Sequence, residues 1–95
     1  MAKVKFFATF REVTQEKETE VEACSVEELL HKFVDKYGKK FEKLVFEKDE
    51  IPTELKLRDY VKILVNGRNI EHLDKLKTRL KNDDIVAIFP PVGGG

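Results

Sequence analysis

The stretch from Ser25 to Gly38 constrains the fold more than any other part of the chain. Ser25-Val26-Glu27-Glu28 has the pattern of a capping box, in which the Ser25 hydroxyl accepts from the Glu28 N–H and Glu28 reaches back. Val26, Leu29, Leu30, Phe33, Val34 and Tyr37 recur at helical spacing and draw one apolar stripe. Gly38 stands where a left-handed C-cap would end the helix. A helix over residues 26–37 therefore has one face to bury. The other regular segments alternate with strand period. One helix can cover only one face of a sheet, so the expectation is a two-layer α+β domain.

Val4, Phe6, Ala8 and Phe10 fall on one face of a strand over residues 3–10, followed by a polar turn. Residues 18–24 read as a weaker partner in a hairpin. Residues 39–59 read as a variable connection with partial helix, interrupted by Pro52. Residues 60–65 form a strand, and Asn66-Gly67 is a strong hairpin-turn signal before a short return. Leu73, Leu76 and Leu80 fit short helical or 3₁₀ pieces, and residues 84–89 give the last strand. The first and last strands are the most apolar, which makes them the expected central neighbours. This order fits a β-grasp sheet.

Composition narrows the functional classes. The 95 residues suit one domain, expected over residues 1–89 with a flexible tail over 90–95. Lys+Arg 18 balances Asp+Glu 18, so no nucleic-acid footprint or polybasic membrane surface is expected. No apolar run approaches a membrane span and no signal core is visible, which makes a soluble cytoplasmic protein the expectation. Cys24 is alone, so neither a disulfide nor a zinc set follows; a small packed residue is its expected role. His31 and His72 lack a second ligand at metal spacing. Neither catalytic side chains, a metal nor a bound cofactor are expected.

The chain ends on Phe89-Pro90-Pro91-Val92-Gly93-Gly94-Gly95. Glycines contribute no side chain to a core and are costly to order. They suit chemistry at a carboxylate, because the Gly95 carbonyl carbon has no branched neighbour and the run can thread a narrow partner channel. Pro90 and Pro91 supply no N–H and end the strand.

These residues resemble the sulfur-carrier small subunit of molybdopterin synthase, a ubiquitin-like β-grasp family. The resemblance runs through Phe6-Phe7-Ala8 with Arg11-Glu12, the helix start at Ser25, Val65-Asn66-Gly67-Arg68, residues 80–86, and most specifically the final block from Ala87 to Gly95. It departs at Asp83, where the family usually has a glycine favouring positive φ, and at Gly93, where it often has alanine or serine. The connection over residues 39–59 is longer than in compact members. The resemblance implies that an adenylating enzyme uses ATP to activate the Gly95 carboxylate. A sulfur donor then leaves a thiocarboxylate, which reacts with a pterin precursor inside the synthase large subunit. Pro90, Pro91, Val92, Gly93 and Gly94 would thread the partner site. A ubiquitin-like modifier forming isopeptide bonds through Gly95, a carrier for thiamine or tRNA thiolation, and a plain interaction module are the alternatives.

A partner surface follows from strand parity without the family. Val61, Ile63 and Val65 face the core, so Leu64 faces out. Val86 and Ile88 face in, so Ala87 and Phe89 face out. Phe7 is out of phase with Phe6 and faces out as well. Phe7, Leu64, Ala87 and Phe89 on adjacent strands would form an exposed apolar patch at the root of the tail.

Overall fold

The computed structural model describes residues 1–47, 56–57 and 61–90. Its main sheet has five strands: β1 (Ala2–Phe6), β2 (Glu18–Val21), β5 (Lys62–Val65), β6 (Arg68–Asn69) and β7 (Ile85–Phe89). A separate antiparallel pair is made by β3 (Phe46–Glu47) and β4 (Lys56–Leu57). The spatial order of the main sheet is β2-β1-β7-β5-β6. The apolar terminal strands are neighbours as expected, and β7 is central. It runs parallel to β1, with Val4 beside Val86 and Phe6 beside Ile88, and antiparallel to β5, with Ile63 beside Ile88.

Helix α2 (Val26–Tyr37) has the bounds that the capping box and stripe predict. Ser25 Oγ accepts from the Glu28 N–H at 3.2 Å. The return arm of the box is replaced: the Glu28 carboxylate lies 3.6 Å from Lys32 Nζ one turn on. Val26, Leu29, Leu30 and Phe33 are buried against Val4, Phe6, Ile63, Val86 and Ile88 in one core.

The expected first strand is too long. It stops at Phe6, and α1 (Thr9–Thr14) begins after Ala8, whose φ is 50° and which is exposed rather than on the core face. Phe10 is buried as expected, but from a helix. Arg11 Nε donates to the Phe6 carbonyl at 2.8 Å and closes the strand end. The buried Thr14 hydroxyl donates to the Phe10 carbonyl at 2.8 Å, and Gln15, left-handed at φ 59°, ends α1. Alternation over four residues is silent on where a chain leaves the sheet. The aromatic packing decides it: Phe10 reaches Phe41 at 5.5 Å only by turning back over the helical layer.

Phe41 belongs to α3 (Lys39–Val45), the helical part of the expected variable connection. Its ring meets Phe6 at 6.4 Å, Phe33 at 5.7 Å and Tyr37 at 5.7 Å, so α3 extends the core beyond the one main helix. Residues 48–55 and 58–60, Pro52 and Tyr60 among them, lie outside the described residues.

Besides Ala8, Gln15 and Lys75, positive φ falls at three turns among the described residues. Gly38 joins α2 to α3 at φ 87° and ψ −162°, which corrects the expected left-handed cap: this is an extended mirror-image conformation open essentially to glycine alone. Asn66 and Gly67, at φ 51° and 84°, make the expected tight turn from β5 to β6. Asp83, at φ 70°, occupies the positive-φ position expected before β7. The 3₁₀ turns Ile70–His72 and Lys75–Lys77 complete the connection, burying Leu80 while leaving Leu73 exposed. The expected second strand over residues 18–24 is shorter, ending at Val21. Cys24 is exposed, against the packed role expected of it, and its carbonyl accepts from the Leu80 N–H at 2.9 Å.

Candidate functional site

With α2 and α3 covering one face of the sheet, no described helix covers the other face. Ladder register places its rows. Lys5, Ala87 and Leu64 lie side by side across β1, β7 and β5, and Lys62 lies beside Phe89 in the next row. Phe7, Leu64, Ala87 and Phe89 are each half-buried, which corrects the expectation of a fully exposed patch. Phe7, just past the end of β1, turns onto the same face. Its ring stacks on Phe89 with centroids 4.4 Å apart and planes 10° apart. The structure therefore brings Phe7, Leu64, Ala87 and Phe89 together as strand parity requires. The stack stands on the last residue of β7, one residue before the half-buried Pro90.

Parity also places Ile85, two residues before Ala87, on this face; it is 43% exposed and had not been singled out. Arg11 is a second addition. Its guanidinium, fixed by the Phe6 carbonyl, lies 5.4 Å from the Phe7 ring centroid. Arg11, Phe7 and Phe89 thus form a continuous stack. Beside it is a groove of about 300 Å³ lined by Lys5, Phe7, Arg11, Lys17 and Glu18. Among the described residues, Lys5, Arg11 and Lys17 line the groove beside Phe7 and Lys62 pairs with Phe89, while the acid Glu18, also in the groove, is opposite Lys5. The whole chain has formal net charge +0, so this cationic rim is a local asymmetry. Periodicity alone gave no sign of it, because Arg11 and Lys17 reach the face from the turn region rather than from a strand.

Pro91, Val92, Gly93, Gly94 and Gly95 lie outside the described residues. His31 and His72 are exposed, His31 lying 6.4 Å from the Phe46 ring. Among the described residues no group of three His, Cys, Asp or Glu could hold a metal ion, and no helix is long and apolar enough to cross a membrane.

The sequence and the fold have counterparts in known proteins. The family model for the ThiS family matches residues 4–95. The chain belongs to the ThiS family. It is 34% identical over 95 residues to small archaeal modifier protein 3 of Haloferax volcanii, covering 97% of this chain and 96% of that one. The solution structure of small archaeal modifier protein 1 from Methanosarcina acetivorans superimposes with a TM-score of 0.88 at 40% identity, covering 99% of this chain and 95% of that one. One chain of the Amycolatopsis orientalis BexX/CysO complex superimposes with a TM-score of 0.80 at 25% identity, with full coverage of both. The ThiS-family domain described here is thus a ubiquitin-like β-grasp protein of the sulfur-carrier and modifier group. The sheet face that no described helix covers has the stacked aromatics, and the other face has the helices.

Proposed function

We propose that this ThiS-family chain is a sulfur carrier whose working group is the Gly95 carboxylate and whose sulfur goes to a molybdopterin or tungstopterin precursor. The observation that carries the reading is the Phe7–Phe89 stack, 4.4 Å between centroids, at the end of the central strand from which the chain passes through Pro90 toward the glycines. A partner gripping that stack with Leu64 and Ala87 would hold the root of the tail. Pro90, Pro91 and Val92 would line the entrance, and Gly93 and Gly94 would enter a site too narrow for side chains. The cationic rim suits partners with acidic groups around an apolar pocket. The partners in this reading are an adenylating enzyme and a synthase large subunit.

The chemistry follows from the weakness of a carboxylate as an electrophile. A Gly95 carboxylate oxygen attacks the α-phosphorus of ATP on the adenylating enzyme, and pyrophosphate leaves. Hydrosulfide, as the sulfur donor, attacks the resulting acyl carbon, the bond to AMP breaks and AMP leaves, and loss of the sulfur-bound proton to solvent leaves the thiocarboxylate. Its terminal sulfur is a nucleophile toward the pterin precursor. Water must be excluded during transfer, since hydrolysis would return the plain carboxylate. The carrier's own residues bind and position; the acid–base groups belong to its partners.

A second reading has specific support. Two relatives, at 40% and 34% identity, bear the name of small archaeal modifier proteins. In a modifier the same activated carbonyl would be attacked by a lysine amine, giving an isopeptide bond. The two readings share activation and differ in the acceptor. Tagged protein expressed in its native cell and analysed at its C-terminus by mass spectrometry separates them. Thiocarboxylate on Gly95, with loss of pterin cofactor on gene deletion, supports the carrier. Abundant Gly95–lysine isopeptides with normal pterin cofactor would replace it with the modifier.

A further inference from the structure

Asn66 and Gly67 form the two-residue turn between β5 and β6. An asparagine followed by glycine is chemically exposed to deamidation, because no side chain shields the next backbone nitrogen from the asparagine Cγ. The surroundings offer little further shielding: Asn66 is exposed, and a Cβ placed on Gly67 would meet nothing within 4 Å. The turn thus sets an electrophilic amide, a backbone nucleophile and solvent together.

The Asn66 side chain is nonetheless held. Its Nδ2 donates to Asp84 Oδ1 at 2.9 Å, and its Oδ1 accepts from the Ile85 N–H at 2.9 Å. Its backbone N–H donates to the Ile85 carbonyl at 2.7 Å. Asp84 is itself fixed, its Oδ2 accepting from the Lys81 N–H at 2.8 Å. The amide is therefore fastened toward β7 on one flank of β5, while the chain continues through Gly67 toward β6 on the other flank.

We propose that Asn66 is a gated deamidation site, closed by its clamp to Asp84 and Ile85 and converted irreversibly when that clamp opens. In the open state the Gly67 nitrogen loses its proton to solvent base and bonds to Asn66 Cγ. The Cγ–Nδ2 bond breaks, and Nδ2 takes a proton from water and leaves as ammonia. Water then opens the cyclic imide, leaving an aspartyl or isoaspartyl residue at position 66. Nothing is oxidised or reduced. The closed clamp opposes this in three ways. It fixes the amide plane, it retains the leaving nitrogen, and it sets the Asp84 carboxylate beside the atoms where negative charge would build. The Ile85 N–H alone would polarise the amide carbonyl, but paired with Asp84 it immobilises the group. The Lys81 N–H and then the Asn66 amide hold the Asp84 carboxyl below the usual carboxylate range, so this acceptor is ionised at neutral pH.

Conversion would have a structural outcome. An aspartyl product loses the donor to Asp84 and sets two carboxylates together. An isoaspartyl product adds a backbone atom to the turn and disturbs the Leu64–Asn69 and Val65–Arg68 pairing, moving Leu64 on the face opposite the helices.

Peptide mass mapping of the full chain, incubated at neutral pH, tests the proposal. Conversion at Asn66 is expected to be at least about tenfold slower in the folded protein than in urea, the factor of one lost charge-assisted hydrogen bond. Asp84→Ala, folded by circular dichroism, should convert faster than the unsubstituted protein. Equal rates folded and in urea would overturn the gate, as would a folded Asp84→Ala that converts no faster. Should Asp84→Ala fail to fold, the comparison with urea decides alone.

Discussion

Ser25 shows how a single residue sets an element boundary. Its hydroxyl satisfies the Glu28 N–H, one of the donors that a helix start leaves unpaired. Ser25→Ala should cost about 1 kcal/mol in urea unfolding. Tyr37 acts at the other end of α2. Its hydroxyl donates to the Glu16 carboxylate, tying the helix to the turn before β2. Burial, and then Glu16, push the Tyr37 hydroxyl upward from its ordinary 10.0. The raised group contributes stability that is fully present below the unfolded value and is lost as pH rises above it. The unsubstituted protein should therefore lose stability above pH 10.0 more steeply than Tyr37→Phe, as compared by urea unfolding at neutral and alkaline pH. Ser25 was legible in the sequence because its partner Glu28 lies one turn away, and the Asn66-Gly67 turn because the dipeptide is itself the signal, whereas the Asn66 side-chain partners, Asp84 and Ile85, are distant in sequence and were not legible. The Ala8 bend, at φ 50°, was not legible either, because the contact it permits, Phe10 against Phe41, joins residues far apart in sequence.

Among the elements, α2 was readable to the residue, and α1 was missed. The difference is physical: α2 has twelve residues, a cap and a full apolar stripe, whereas α1 has six and no side-chain cap. Short helices gain little from their own backbone and form where packing holds them. Phe10 supplies that packing, so the alternation that extends β1 to residue 10 misleads. Gly38 links α2 to α3 in a conformation that only glycine adopts readily. Gly38→Ala should destabilise the protein by about 1–3 kcal/mol through backbone strain, even though its Cβ would meet nothing within 4 Å. Thermal unfolding would measure it, and an unchanged midpoint would mean the link can rearrange at no cost.

Across the whole molecule, the sheet has one face packed under the helices and one that no described helix covers, and the proposed function assigns partner binding to the second. Residues facing α2 and α3 form the core; Phe7, Leu64, Ala87 and Phe89 face outward, as strand parity indicated. The cationic rim was not legible in the same way, since Arg11 and Lys17 arrive from a region read as a plain turn. Phe89→Asp or Phe7→Asp should weaken binding to a synthase large subunit by at least about 2 kcal/mol, the loss typical of a central anchor, while changing folding far less. Unfolding by either substitution would show that the stack serves the core. The central claim concerns Gly95, and intact mass tests it most directly. Incubated with an adenylating enzyme, ATP and a sulfur donor, the full chain should gain the mass of an oxygen-to-sulfur exchange at Gly95, and a folded chain lacking Gly95 should gain none. Equal conversion of both chains, or no change in the full chain, would contradict the account.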